Sequence, residues 1–201
     1  MRGVLWCNGT PPSRELIQWA VSLDAPIFGV DGGADIAASE GIEVIEVLGD
    51  MDSASKKNWA GRSVSLPDQS TSDLSKSIRH LIGRGFEEIE IIGADGGSQE
   101  HVLGTWAALF ESPAGAKIRI HHESNVSRRF HPEDGEMYLE IGDGARFSVF
   151  SFESTRVWIK GSKWDVSGEE IGFSTRGLSN EGIGGKVSIR AEGVLVIITG
   201  R

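Results

Sequence analysis

Five carboxylates stand where short apolar runs end. Asp31 follows Pro26 to Val30, Asp50 and Asp52 follow Val44 to Leu48, Asp73 follows the loop from Pro67 to Ser72, and Asp95 follows Ile89 to Ile92. If the runs are strands of an open parallel sheet, their carboxyl ends form the edge at which such sheets bind ligands. Acids gathered at one edge repel one another unless a cation lies among them. Oxygen-only donors, without clustered histidine or cysteine, suit Mg2+. Taken singly, each acid also has a plain structural use. Asp-Gly at 31–32 and at 95–96 is a common turn, and Asp73 complements a helix N-terminus. The run Asp50-Met51-Asp52-Ser53 goes further, because Ser53 alone suffices as a helix cap and neither aspartate is needed for that.

The elements that must position these acids follow from periodicity. Val4 to Cys7 reads as a strand. Ser13 to Leu23 reads as a helix, with Ser13 as N-cap and Leu16, Ile17, Ala20 and Val21 at helical spacing. Pro26 to Val30, Val44 to Leu48, Ile89 to Ile92 and Ile118 to His121 read as further strands. Ala34 to Glu40, Asp73 to Ile82 and a segment through Val102, Trp106 and Phe110 read as helices. Strand-helix alternation of this kind predicts an α/β domain with a mostly parallel sheet flanked by helices, spanning 1–130. Ser127 to Gly135 is charged, holds Pro132 and reads as a connector. Beyond it, Met137 to Ile141, Arg146 to Phe150, Arg156 to Ile159, Lys186 to Arg190 and Val194 to Ile198 alternate between glycine-rich turns. That pattern predicts a small all-β sandwich over 131–201.

Several chemistries are set aside. Gly185-Lys186 lacks the upstream glycine of a phosphate-binding Walker loop, and no G-x-G-x-x-G opens a helix after the first strand. His121 and His122 are adjacent in a strand, point to opposite faces and cannot chelate one ion together. Cys7 lies in a predicted strand, where packing is its expected use. The 201 residues carry a formal net charge of −9, against a nucleic-acid partner. Cys7 is the single cysteine, no stretch is long enough to span a bilayer, and the N-terminus shows no basic segment followed by a long apolar run. These features predict a cytoplasmic protein without membrane attachment.

The ordered set of motifs is specific. Asp31-Gly32-Gly33-Ala34-Asp35, Gly49-Asp50-Met51-Asp52-Ser53, Asp68-Gln69-Ser70-Thr71-Ser72-Asp73 with Lys76 one turn on, and Gly93-Ala94-Asp95-Gly96-Gly97 followed by His101 resemble the thiamine pyrophosphokinase family. Gly161-Ser162-Lys163-Trp164 and Gly177-Leu178-Ser179-Asn180-Glu181 extend the resemblance over nearly the whole chain. The resemblance implies an α/β catalytic domain followed by a β-sandwich, and transfer of diphosphate from ATP to the hydroxyl of thiamine, with AMP leaving. It implies that Asp50, Asp52 and Asp73 hold Mg2+ and the phosphates, with Asp31 nearby. Gly32 and Gly33 would let the nucleotide approach the backbone, Gln69, Thr71 and Lys76 would lie beside the phosphates, and Ser179 and Asn180 would bind the aminopyrimidine. A homodimer with its sites at the subunit interface is implied too. The family pattern Gly-Gly-Arg-x-Asp-His departs here to Gly96-Gly97-Ser98-Gln99-Glu100-His101. Lys76, Arg79 and Arg84 are the cations that could compensate for the missing arginine, and Glu100 or Asp73 the carboxylate that could accept the hydroxyl proton. Two other readings remain: a diphosphokinase acting on another alcohol such as a hydroxymethylpterin, and a non-catalytic thiamine or nucleotide sensor.

Overall fold

A computed structural model describes residues 1–55 and 57–201. The chain divides into two compact units. The first comprises Met1–Ser112 and Ala116–Glu123; the second comprises Pro113–Gly115 and Ser124–Arg201.

The first unit runs β1 (Arg2–Trp6), α1 (Arg14–Ser22), β2 (Ile27–Val30), α2 (Gly33–Ser39), β3 (Glu46–Gly49), β4 (Ser63–Ser65), α3 (Asp73–Gly83), β5 (Glu88–Ile92), α4 (Gln99–Glu111) and β6 (Lys117–His121). Its strands lie in the order β6-β5-β1-β2-β3-β4, and every pairing among them is parallel. The helices start where the sequence marks them. Ser13 Oγ accepts the Leu16 N–H at 3.3 Å ahead of α1, and Ser72 Oγ accepts the Ser75 N–H at 3.2 Å ahead of α3.

Alternation along the strands separates two apolar faces. Val4, Trp6, Ile27, Val47 and Ile92 pack with Leu16, Ile17 and Ala20 of α1 and with Ala34 and Ala37 of α2. Phe28 points the other way, where Phe86 meets it edge-on at 5.5 Å and α3 packs on β2 and β3. On that side α3 buries Leu74, Ile78 and Leu81, each side chain worth roughly 1.5–3 kcal/mol. The strand order reverses between β1 and β5: the chain proceeds outward from β1 to β4, then returns to the far side of β1. The carboxyl ends flanking that switch are the expected ligand crevice.

The second unit holds β7 (Asn125–Phe130), β8 (Met137–Ile141), β9 (Arg146–Phe150), β10 (Thr155–Lys160), β11 (Val166–Ile171), β12 (Asn180–Glu181), β13 (Gly185–Ala191) and β14 (Leu195–Gly200). All pairings are antiparallel, in the orders β12-β9-β14-β7 and β11-β10-β13-β8. Phe130, Phe147, Val149, Leu195 and Ile197 from the first layer meet Ile141, Val157, Ile159, Val187 and Ile189 from the second to form one core. Strand pairing over the chain is thus mixed rather than mostly parallel, with parallel pairing confined to the first unit.

The connector expected at Ser127 to Gly135 holds most of a strand, since β7 pairs with β14 from Leu195↔Phe130 to Gly200↔Asn125. Arg128 and Arg129 masked it. The Arg129 side chain is fully buried, and its guanidinium donates to the Pro113 carbonyl and, at 3.0 Å, to Asp134. A charge is tolerated inside because both terminal nitrogens of the guanidinium have fixed partners.

Candidate active site

The cleft at the carboxyl ends of β1, β2, β3 and β5 has a volume of about 600 Å³. Among the described residues, Asp31, Asp50 and Asp73 each bring a carboxylate oxygen within 4.8 Å of the other two. Each is held differently. Asp31, just past β2 in the left-handed region at φ 45°, accepts the Ser53 and Ala54 N–H groups, one on each oxygen, at 3.1 Å. Burial raises its carboxyl above the ordinary value, and the bonds from Ser53 and Ala54 oppose that. Asp50 accepts from Gln69 Nε2 at 3.0 Å and from the Asp52 N–H at 3.1 Å. Asp73 opens α3, accepts the Asp50 N–H at 3.2 Å, and meets the Lys76 ammonium at 2.7 Å. Lys76 is itself buried.

Three carboxylates and one ammonium give three negative charges and one positive, a balance of two negative that a single dication neutralises. The donors are all oxygen, as a hard cation requires. The group therefore fits Mg2+. Asp52, expected among the ligands, is not in the group. Met51 adopts φ 66° and buries its side chain, and Asp52 after it accepts from Ser53 Oγ at 2.8 Å while its side chain also bonds to Asp31, which adds to the rise of the Asp31 carboxyl. Asp31 stands in its place, and Asp52 remains on the cleft wall.

The other expected residues separate into two groups. Gln69 touches the acid group through Asp50, and Thr71 lies in the loop before α3 with its hydroxyl buried and without a hydrogen bond among the described residues. Glu100 lines the cleft. Its carboxyl is held below the ordinary value, first by the Ser98 hydroxyl and then by its own N–H at the start of α4. That makes it a weaker proton acceptor than an ordinary glutamate. Gly33 also has a packing use. A Cβ there would come within 2.3 Å of the Trp6 carbonyl, so the missing side chain seats α2 against the end of β1. Gly32 faces Asn8, whose side chain would lie 2.7 Å from a Cβ. Arg79 pairs with Glu111 at 3.8 Å and Arg84 with Glu46, so neither is committed to the acid group.

Asn8 and Gly9 line the cleft and were not singled out from sequence. Gly9 runs so close to the end of β5 that a Cβ would meet the Asp95 carbonyl at 2.4 Å, and its N–H bonds to the Gly93 carbonyl at 2.8 Å. The signal was present: Asn8-Gly9 follows β1 as Asp31-Gly32 follows β2. Cys7 also borders this cleft, and burial pushes its thiol up to about 12. At pH 8 the thiolate fraction is about one part in 10⁴, so Cys7 is expected to resist iodoacetamide until the protein is denatured. Mass spectrometry after brief native labelling checks this; stoichiometric modification of folded protein would contradict it.

In the second unit, a separate cleft of about 410 Å³ is lined by Trp164, Val166, Leu178, Ser179 and Asn180 among others. The Asn180 amide is engaged within the fold. It donates to the Trp164 carbonyl at 2.9 Å and to Ser162 Oγ at 3.2 Å, and accepts the Glu181 N–H at 2.7 Å and the Trp164 N–H at 3.3 Å. Both donors and both lone pairs have partners. Asn180 therefore fixes the turn that presents Trp164, whose ring is half exposed beside the Lys163 ammonium, 4.8 Å from its centroid. Ser179 is held at φ 60°, with its N–H on Ser148 Oγ.

An α/β unit with a carboxylate group and a buried lysine at its strand ends, followed by a β-sandwich with its own cleft, defines a class of two-unit proteins with an anion-and-cation site. A family model for the thiamin pyrophosphokinase catalytic domain matches residues 20–121. The chain belongs to the thiamine pyrophosphokinase family. It is 27% identical over 184 residues to the thiamine pyrophosphokinase of Bacillus subtilis (strain 168), covering 85% of each chain. The solved structure of thiamine pyrophosphokinase from Bacillus subtilis is similar in fold, with a TM-score of 0.79 at 23% identity over 100% of this chain and 99% of that one. The thiamin pyrophosphokinase of Candida albicans has a TM-score of 0.74 at 13% identity, over 99% of this chain and 88% of that one.

Proposed function

We propose that this protein transfers diphosphate from ATP to the hydroxyl of thiamine, giving thiamine diphosphate and AMP. The observation that carries the reading is the group of Asp31, Asp50 and Asp73 beside Lys76, of which Asp31 and Asp73 line the cleft at the strand ends, in a chain from this family. These three aspartates would hold Mg2+, which when bound would offset phosphate charge. Lys76 supplies a fixed positive charge in a buried setting, where it acts more strongly than in water. Gln69 holds Asp50 in place, and Ser53 and Ala54 hold Asp31, so the acids are oriented before any ligand arrives. The apolar wall of the second unit's cleft, with the Trp164 ring, suits the flat rings of thiamine; Ser179 and Asn180 shape that wall.

The protein is further read as a cytoplasmic homodimer. Trp164, Phe173, Leu178 and Ile183 are more than half exposed on the second unit, as an apolar surface awaiting a partner would be. In a reaction with ATP, Mg2+ and thiamine, AMP and thiamine diphosphate are expected to appear in equal amounts, and EDTA is expected to stop both. Chromatography of the products decides. ADP in place of AMP, or undiminished turnover in EDTA, would overturn the reading.

A further inference from the structure

The first turn of α4 carries side chains that the reading above leaves unused. Ser98 occupies the N-cap position with extended backbone, where a serine hydroxyl ordinarily accepts an N–H of the first turn. Here it makes no such bond. Its Oγ lies 2.9 Å from Nδ1 of His101, and His101 and Glu100 both line the cleft that holds Asp31 and Asp73. Resting on the diphosphate-transfer reading, we propose that His101, oriented by Ser98, is the group that accepts the proton of the attacking hydroxyl.

The hydrogen-bond inventory sets the tautomer. A serine hydroxyl has one proton to give and two lone pairs to receive with. The Ser98 proton goes to the Glu100 carboxylate, which is why that carboxyl sits below its ordinary value. A Ser98 lone pair then receives Nδ1–H of His101, which leaves Nε2 as the imidazole's acceptor. Glu100, kept ionised, is a poor base but a good anchor, and an imidazole is the side chain most often used as a general base. The charged groups that line the cleft with His101 are Glu100 on its own helix, Asp31 beyond β2, Asp52 in the loop after β3, and Asp73 at the head of α3. All favour the imidazolium that forms. Cys7, beyond β1, is neutral.

The step balances. The hydroxyl oxygen forms a bond to the β-phosphorus while its proton passes to Nε2. The bond from the β-phosphorus to the α–β bridging oxygen breaks, and its electron pair leaves on AMP. The imidazolium then returns its proton to water.

The test compares wild type with His101→Gln, Ser98→Ala and Ser98→Thr from pH 5.5 to 9, recording AMP release with thiamine, KM for ATP and melting curves. Wild-type kcat is expected to rise with pH through one ionisation to a plateau. His101→Gln should lower that plateau about 10²-fold and abolish the ionisation, at unchanged KM for ATP. Ser98→Ala should cost about tenfold and shift the midpoint, because a misaligned base loses rate steeply. Ser98→Thr, which keeps the hydroxyl, should recover most of that loss. His101 is exposed, so its replacement leaves the core intact; should the variant melt early, the Ser98 pair decides. A His101→Gln enzyme with the wild-type pH profile, or with a changed KM for ATP alone, overturns the proposal and leaves diphosphate transfer standing. Wild-type protein that forms no AMP with thiamine overturns both.

Discussion

Asp73→Asn is expected to lower the rate of AMP release by about 10³-fold or more, roughly 4 kcal/mol of barrier, while the protein remains folded. The amide has the shape of the carboxylate, so the Asp50 N–H and the Lys76 ammonium can still find an oxygen. What disappears is one of the three charges facing one another within 4.8 Å. The balance beside Lys76 falls from two negative to one, and a dication is no longer neutralised. Two small effects on stability oppose each other. Relief of like-charge repulsion favours the variant, while loss of an anion in the first turn of α3 costs it about 0.3–1 kcal/mol. The unliganded melting temperature should therefore move little. Asp52→Asn is the comparison, because Asp52 lines the cleft beside Ser53 but stands outside the three-acid group. It should cost no more than about tenfold. Steady-state rates of the two variants at saturating Mg2+ decide. Equal and large losses would show that Asp52 is drawn in as a ligand, and near-normal turnover of Asp73→Asn would remove the acid group from the reaction altogether.

The contrast between Asp31 and Asp52 shows what a sequence discloses. Acids after apolar runs mark strand ends, since alternation and turn residues are local, so the edge itself was readable. The choice of the third acid was not. Between Asp50 and Asp52 stands Met51, at φ 66° with its side chain buried among residues of α1 and α2. Nothing in Asp50-Met51-Asp52 announces that long-range contact. The same holds for β7, where Arg128 and Arg129 suggested a solvated connector, although Arg129 is buried against partners sixteen residues back and five ahead. Asn180 illustrates the limit differently. The motif singled it out, but its amide is occupied by the Ser162–Trp164 turn and the Glu181 N–H, a pairing that only the fold discloses.

Glu90→Gln is expected to destabilise the first unit by about 3 kcal/mol at pH 7, the scale of breaking a buried ion pair. Glu90 points from β5 toward the α1 face, in register with Val4 of β1 and Arg119 of β6. One of its oxygens meets the Arg119 guanidinium, and the other lies 2.7 Å from Nε2 of His121, whose ring lies tilted against that of Trp19 of α1, 4.0 Å between centroids. Burial by itself raises the Glu90 carboxyl; the bond from His121 and the charge of Arg119 outweigh it and hold the group below the ordinary value. A carboxyl depressed by folding stabilises fully above its unfolded value, about 4.3, and ceases to do so as pH falls through the lower folded value. The gap between wild type and variant should thus persist down to pH 5 and close as pH falls below about 4. In a chain of this size the loss corresponds to a fall of roughly 6–12 °C in the midpoint of thermal unfolding. The glutamine keeps the shape but offers one neutral oxygen to two donors, and its amide hydrogens face a guanidinium. Replacing Glu90, Arg119 and His121 together by leucine should recover much of the loss, since no buried charge then lacks a partner. Melting curves across the pH range provide the check. A gap that persists unchanged to pH 3 would mean that Glu90 acts through its shape, and that the charge on β5 contributes nothing to the sheet.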